Sequence, residues 1–542
     1  MKVTLEGIRK DKDAFKKAGV ALPAYDIEAS RQEALKNPVW VHMGAGNIFR
    51  GFIASLQERL LADGLQKSGI TTVTIHKSET IEKICRPHDG LVMNVTLMPD
   101  KRTELEVLGS LAYDLEFDGE NAQDEKVLRE MFRNPSLQML SFTITEKGYA
   151  LKDIDGNYTA LASGDFTAGP SKPKHGMAIV AALLYERYQA GKYPMAVVSM
   201  DNCSHNGEKL KLSVLDVAEH WLKNGLVEQG FIDYLNDGST LSFPCTMIDK
   251  ITPRPDPEIA KMLADKGIEG MEPIKNSRGT YIAPFVNAEK PQYLVIEDNY
   301  TNGRPQLEKV GVLFTDLKGV DLSERMKVTT CLNPLHTALA VYGCILGYTR
   351  ISQEVEDKDL VNLIETLGYK EGLPVCEDPK VLSPKAFLDE VIKERLPNKC
   401  LPDSPQRIAT DSSLKVPVRF GETLKNYKKL AYDTSKLVAL PLALAGWLRY
   451  LMAVDDNGRA IELSDDPQLP EIKKHMTGIE FGHPESVGDK LRPLLSNKAL
   501  FGVDLYDSGI NIGDKVVELF CREIAGAGAV RKTLKECLPQ NN

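Results

Sequence analysis

The chain has 542 residues, 42% hydrophobic and 26% charged, with a formal net charge of −9. Its length exceeds one ordinary core and predicts two or three domains of soluble, globular type. The negative balance argues against nucleic acid as a partner, because phosphate binding favours a basic surface.

Nine cysteines lie scattered with no Cys-x-x-Cys pair, and nine histidines with no His-x-x-x-His pair. This spread predicts reduced thiols in a cytoplasmic protein and gives no local support for a metal site. The first dozen residues lack an apolar core of signal-peptide length. The strongest apolar run, 437–448, contains Pro441 and stops at Arg449. It is too short to cross a bilayer and predicts a buried helix, so no membrane partner is expected.

In the first half, β-rich apolar runs at 39–43, 71–76, 139–145 and 195–200 alternate with helical patterns. Ile48, Phe52, Leu56 and Leu60 mark one helix, and residues 177–189 a second. Such alternation predicts an α/β layer with a largely parallel sheet. Around 243–257 the prolines exclude regular helix. After about Gly319 helical spacing dominates, at 334–347, 358–367, 384–395, 435–452, 486–496 and 514–525. The expected division is a dinucleotide-binding domain at 1–318 and a mainly helical catalytic domain at 319–542. Small-ligand clefts commonly form between such domains.

Two segments carry chemistry. Val41-His-Met-Gly44-Ala-Gly46-Asn47-Ile-Phe-Arg50 reads as strand, glycine turn and helix start. There the backbone can approach a pyrophosphate and the helix N-terminus can supply amide donors, the Rossmann-like arrangement. The third glycine of the usual fingerprint is replaced by Phe49, and Arg50 is placed to reach a phosphate. No aspartate ends the second strand; Lys77, Ser78 and Glu79 stand there, leaving NAD and NADP both open. Polar residues also follow the later strands, in Ser141-Phe-Thr-Ile-Thr-Glu146-Lys-Gly-Tyr149 and Asp201-Asn202.

The second segment is Glu324-Arg-Met-Lys327-Val-Thr-Thr-Cys-Leu-Asn333-Pro-Leu-His336. A lysine in a dry cleft loses its preference for the charged form and becomes a competent proton carrier. Asn333 before Pro334 predicts an N-cap with the helix starting at Pro334. His336 then falls in the first turn, where the positive helix end disfavours imidazolium. A nucleotide turn and a proton-transferring set in one chain imply a nicotinamide-dependent alcohol dehydrogenase.

These blocks resemble the mannitol dehydrogenase family of polyol-specific long-chain dehydrogenases. Further blocks join them in order: Phe-Pro-Cys-Thr-Met-Ile-Asp249-Lys-Ile-Thr-Pro, Ile296-Glu-Asp298, Asp403-Ser-Pro-Gln-Arg407 and Ser413-Leu-Lys415-Val-Pro. The resemblance runs from about residue 38 to about 540. It implies Lys327 as general acid/base, with Asn202 and Asn333 as an amide pair on the substrate oxygen. It also implies His336 on a substrate hydroxyl, Glu324 on a proton path, and Asp249, Arg407 and Lys415 at the polyol end. Gly44, Gly46, Asn47, Arg50, Lys77 and Glu146 would contact NAD, and no metal is needed. The substrate implied is a keto-sugar or keto-uronate, D-fructuronate/D-mannonate first, because Arg407 and Lys415 can pair with a carboxylate. Tagaturonate/altronate and fructose/mannitol are the alternatives, with a sugar-acid epimerase or isomerase, or a nucleotide-binding sensor, from other classes. A monomer or small homo-oligomer is expected.

The chain departs from the family in three ways, the first being Ile48-Phe-Arg50 after the glycine turn where the family commonly has Phe-His-Arg. Five residues separate Lys327 from Asn333 where the family usually has four, so a bulge or a break must absorb one. Stretches at 98–125 and 205–240 read as insertions.

Overall fold

A computed structural model of the chain describes residues 1–538. It divides into two compact units: residues 1–98 with 102–321, and the segment Pro99–Lys101 with residues from Leu322 onward.

The first unit is built on six strands: β1 (Trp40–Met43), β2 (Ile70–Thr74), β3 (Leu111–Glu116), β4 (Met139–Phe142), β5 (Met195–Ser199) and β6 (Leu241–Ser242). Their order is β3-β2-β1-β4-β5-β6, and every pairing is parallel. This is the doubly wound dinucleotide fold, with its switch point between β1 and β4. The central strands are buried on both faces, so they read as continuous apolar runs. Val41, Leu140 and Val197 enter one core with helix α2 (Gly176–Gly191) and helix α3 (Asn206–Lys223), while Trp40, Met139 and Val198 enter the other. The second core is completed by Phe52, Leu56 and Leu60, the last two from helix α1 (Ala54–Ala62).

Three predicted strands end early, for identifiable reasons. Beyond β2 the Ser78 amide leaves the ladder for the Glu116 carboxylate, at 2.9 Å. Beyond β4 the amides of Ile144 and Thr145 turn to the Asp201 carboxylate. Strand β5 stops at Ser199 because the next residues form the turn into α3. Apart from Pro99–Lys101, both stretches read as insertions are integral parts of the first unit. The first supplies edge strand β3, and the second supplies α3, whose Leu210, Val214, Val217 and Trp221 fill the core. The proline-rich stretch contains a short strand, Thr246–Asp249, which pairs antiparallel with Tyr293–Glu297.

The second unit is helical. Helix α4 (Leu317–Met326) spans the division between units; α5 (Asn333–Leu346), α6 (Glu422–Leu430), α7 (Ala439–Leu451) and α8 (Gly513–Glu523) follow. The apolar run forms α7, buried along its whole length. Gly446 allows α7 to approach α5, because a Cβ there would lie 2.4 Å from the Tyr342 ring. The Tyr342 hydroxyl lies 2.8 Å from the Leu442 carbonyl and 2.6 Å from the Glu523 carboxyl, joining α5, α7 and α8. The predicted helix at 486–496 is mostly absent. Only Pro484–Ser486 and Arg492–Leu495 are helical, because Gly488 takes a φ of +46° and Pro493 lacks an amide donor. Among the described residues no helix is long and apolar enough to cross a membrane.

Candidate active site

The glycine turn sits at the carboxyl end of β1, at the switch point. Gly44 has a φ of +117°, and a Cβ there would meet the Thr143 carbonyl at 2.8 Å. Gly46 faces open space and lines a cavity of about 280 Å³. The missing third glycine is compensated two residues later. A Cβ at Gly51 would strike Val286 at 2.7 Å, so this is where the helix start needs its close approach. His42 beneath the turn is neutral: burial pushes its pKa down to about 3, and its ring nitrogens meet the hydroxyls of Ser141 and Thr143.

Arg50 corrects one expectation. Its guanidinium is buried, donating to the Ala283 carbonyl at 2.8 Å and to Asn47 Oδ1 at 2.9 Å. It anchors the helix start from inside and does not present itself to a phosphate. Asn47 is likewise engaged, with Nδ2 3.4 Å from the Pro253 carbonyl. Glu146 also departs from expectation, because its exposed carboxylate pairs with Lys209 at 2.5 Å across the surface.

The loops after β4 and β5 are held together by Asp201. Its buried carboxylate accepts the amides of Ile144 at 3.0 Å and Thr145 at 2.8 Å, and the Tyr149 hydroxyl at 2.5 Å. Burial raises the Asp201 pKa against the lowering effect of those bonds. Thr145 is thereby fixed at φ +69°, ψ 159°, a region used almost solely by glycine and costing on the order of 1–3 kcal/mol. Asn202 follows directly in the exposed turn after β5. Stored strain at a strand-end loop beside the switch point is characteristic of ligand sites.

The cavity beside Gly46 is also lined by Thr74, His76, Lys77, Ser78, Glu79 and Arg278. Glu79 is the acid of this lining. It accepts Lys83 Nζ at 2.6 Å and the Ser277 amide at 2.7 Å, which hold its pKa down to about 2. Lys77 pairs with Glu82 at 3.1 Å. Arg278 has no counterpart among the sequence expectations. It arrives on the turn of a hairpin, Ile274–Lys275 with Tyr281–Ile282, far along the chain.

In the second unit, Lys327 is 3% exposed and opens a π-helical turn, Lys327–Cys331, that continues α4. The Leu332 amide closes the turn on the Lys327 carbonyl at 3.1 Å. A π turn holds one residue more than an α turn, and it lies within the five residues that separate Lys327 from Asn333. The break falls at Leu332, with φ −127° and ψ −63°, and not at Asn333. Asn333 is therefore the first residue of α5 and not its cap. Leu332 takes the break because its carbonyl also accepts the His336 amide, at 3.0 Å. Glu324 lies one turn before Lys327, half-buried on α4.

His336 is neutral, but burial and not the helix dipole is the main cause. Its pKa falls to about 4 despite Asp403, 3.7 Å away, with Arg419, Arg407 and Arg395 adding to the lowering. Arg407 pairs with Asp403, and Lys415 donates to the carbonyls of Ile408 and Thr410. Arg419 is likewise absent from the sequence expectations. It donates to Thr337 Oγ1, lies 3.5 Å from the Asn333 carbonyl, and has its pKa lowered by burial to about 10. Asp249 belongs to the first unit, half-buried at the end of its short strand. Among the described residues no group of three or more His, Cys, Asp or Glu could hold a metal ion.

A doubly wound nucleotide fold with its glycine turn, followed by a helical unit bearing a buried lysine, defines an oxidoreductase of CH–OH groups. Residues 39–309 match the profile described as Mannitol dehydrogenase Rossmann domain, and 320–517 that of the Mannitol dehydrogenase C-terminal domain. The chain belongs to the mannitol dehydrogenase family. It is 49% identical to a D-mannonate oxidoreductase of Thermotoga maritima over 530 residues, 97% of each chain. Among solved structures it is similar to a D-sorbitol dehydrogenase in substrate-free form, with a TM-score of 0.77, 26% identity and coverage of 96% and 98%. It is also similar to Pseudomonas fluorescens mannitol 2-dehydrogenase in a ternary complex with NAD and D-mannitol. There the TM-score is 0.66, at 26% identity and 99% coverage of both chains.

Proposed function

We propose that this chain interconverts D-fructuronate and D-mannonate with NAD(H). The observation that carries the choice of a sugar acid over a neutral polyol is the cationic cluster around His336. Arg407 and Arg419 act electrostatically on that imidazole, and both act on Lys415, with Asp403 the acid nearest the ring. Arginine at such a site recognises carboxylate in bidentate fashion. The name of the Thermotoga maritima relative points the same way.

NAD fits the first unit: Gly46 leaves room for a pyrophosphate, and Glu79 offers a carboxylate to a ribose hydroxyl in the cavity beside it. The ternary complex of the Pseudomonas relative supports the same coenzyme. A nicotinamide held there would supply the hydride chemistry. Lys327 then donates a proton to the ketone oxygen on reduction and takes it back on oxidation. Asn202 and Asn333 donate amide hydrogen bonds to that oxygen and stabilise its developing charge. Neutral His336 holds a neighbouring hydroxyl, and Glu324, one helical turn away, returns the proton toward solvent. Nine free thiols fit a reducing cytoplasm.

The test is nicotinamide absorbance with D-fructuronate, D-tagaturonate and D-fructose, each with NADH and NADPH. Fastest turnover of D-fructuronate with NADH is expected. Preference for D-fructose would overturn the substrate, and product formed without net nicotinamide change would overturn the reaction class in favour of an epimerase.

A further inference from the structure

Cys331 ends the π turn that begins at Lys327; its thiol donates to the Pro384 carbonyl at 3.5 Å, the Cys376 thiol donates to the Glu377 carbonyl at 3.6 Å, and the two thiols influence each other's ionisation. Backbone geometry independently brings the two segments together. On one face of α6, Thr423 Oγ1 donates to the Thr329 carbonyl at 2.9 Å, and Asn426 Nδ2 donates to the Val375 carbonyl at 3.1 Å. Gly372 comes so close to the π turn that a Cβ there would stand 2.8 Å from Thr330 Cγ2. Cys331 is buried, whereas Cys376 is partly open to solvent. The influence of Cys331, and then of Thr330, lowers the Cys376 thiol below its ordinary pKa.

We propose that Cys331 and Cys376 form a reversible disulfide that switches the Lys327 turn off. The switching effect rests on the proposed role of Lys327; the disulfide itself does not. With hydrogen peroxide as oxidant, the Cys376 thiolate attacks one peroxide oxygen, the O–O bond breaks and hydroxide leaves, giving a sulfenic acid. The Cys331 thiol then attacks that sulfur. An S–S bond forms, the S–O bond breaks, and water departs with the Cys331 proton. A dithiol reductant reverses the link by exchange. Closing two neighbouring thiols to a bond of about 2.05 Å must draw the π turn toward the loop at 376. A shift of about 1 Å in a catalytic group costs about a hundredfold in rate.

The experiment treats the full-length protein with hydrogen peroxide, blocks free thiols, and maps peptides by mass without reduction. A 331–376 crosslink is expected, with about a hundredfold loss of D-fructuronate turnover that dithiothreitol restores. Cys376→Ser should keep its turnover through the same treatment, and both it and Cys331→Ala should lack the crosslink. Absence of the crosslink in the wild type overturns the proposal. So does a crosslinked protein with undiminished turnover, or a Cys376→Ser protein inactivated like the wild type. A chain that reduces no keto-sugar would refute the proposed function, and the mass map would still decide the thiol pair.

Discussion

At the nucleotide end the working surface is backbone: an open Gly46, a strained Thr145, and amides collected by one buried carboxylate, Asp201. In the helical unit it is side chains set on a helix interrupted between α4 and α5, with Lys327 and His336 buried or nearly so. The first unit controls loops by capturing their amides; the second controls side chains by placing a π turn and a break within a continuous helical path. The difference suits the tasks. A pyrophosphate is recognised by donors that point the same way whatever the side chains, whereas proton transfer needs one amine at one place.

Three substitutions test this contrast. Lys327→Ala should lower turnover by roughly 10²–10⁴-fold, the usual worth of general acid–base catalysis. Its affinity for NADH, read by fluorescence titration, should be unchanged. Altered NADH binding would show that the two ends are not separable in this way.

The next effect concerns the stability of the helical unit. Burial raises Glu523 to about 8, so the folded carboxyl stays protonated where the unfolded one ionises near 4.5. Its stabilising contribution is complete below that unfolded value and is lost as pH rises through the folded one. Glu523→Gln keeps the acceptor for Tyr342 and removes the titration. At pH 7 it should be more stable by on the order of 3 kcal/mol. Melts at pH 5 and pH 8 check this: an equal gain at both would refute the assignment.

The smallest effect should come from Asp201→Asn. It removes one of the acceptors holding Ile144, Thr145 and Tyr149, and lets Thr145 relax. NADH affinity should fall about tenfold, ~1.4 kcal/mol, with little change in the rate of the bound complex. A selective loss of rate instead would place Asp201 in the chemistry.

Much of this is readable in the sequence where the cause is local. The glycine turn, the apolar central strands and the Lys327–His336 segment each follow from residues within one turn or one strand. The strand ends are not, because Ile144 and Thr145 are taken by a carboxylate more than fifty residues away. Arg50 sits where a phosphate ligand belongs, yet the carbonyl that draws it inward is Ala283. Arg278 and Arg419 carry no local signature. One comes in on a hairpin of two-residue strands, and the other lies just beyond the Lys415-Val-Pro block in a helical stretch. The break falls at Leu332, one residue before the predicted cap, because the pull of proline on Asn333 is weaker here than the closure of the π turn.

The contact of Gly51 with Val286, together with the Arg50 anchor at Ala283, has a consequence for dissection of the molecule. The helix that would greet the coenzyme takes its bearings from a stretch encoded well after the sixth strand. A fragment cut behind β6 would keep the whole parallel sheet and still lose the datum that aims its phosphate-facing amides. The smallest autonomous coenzyme binder carved from this chain must therefore extend past Val286.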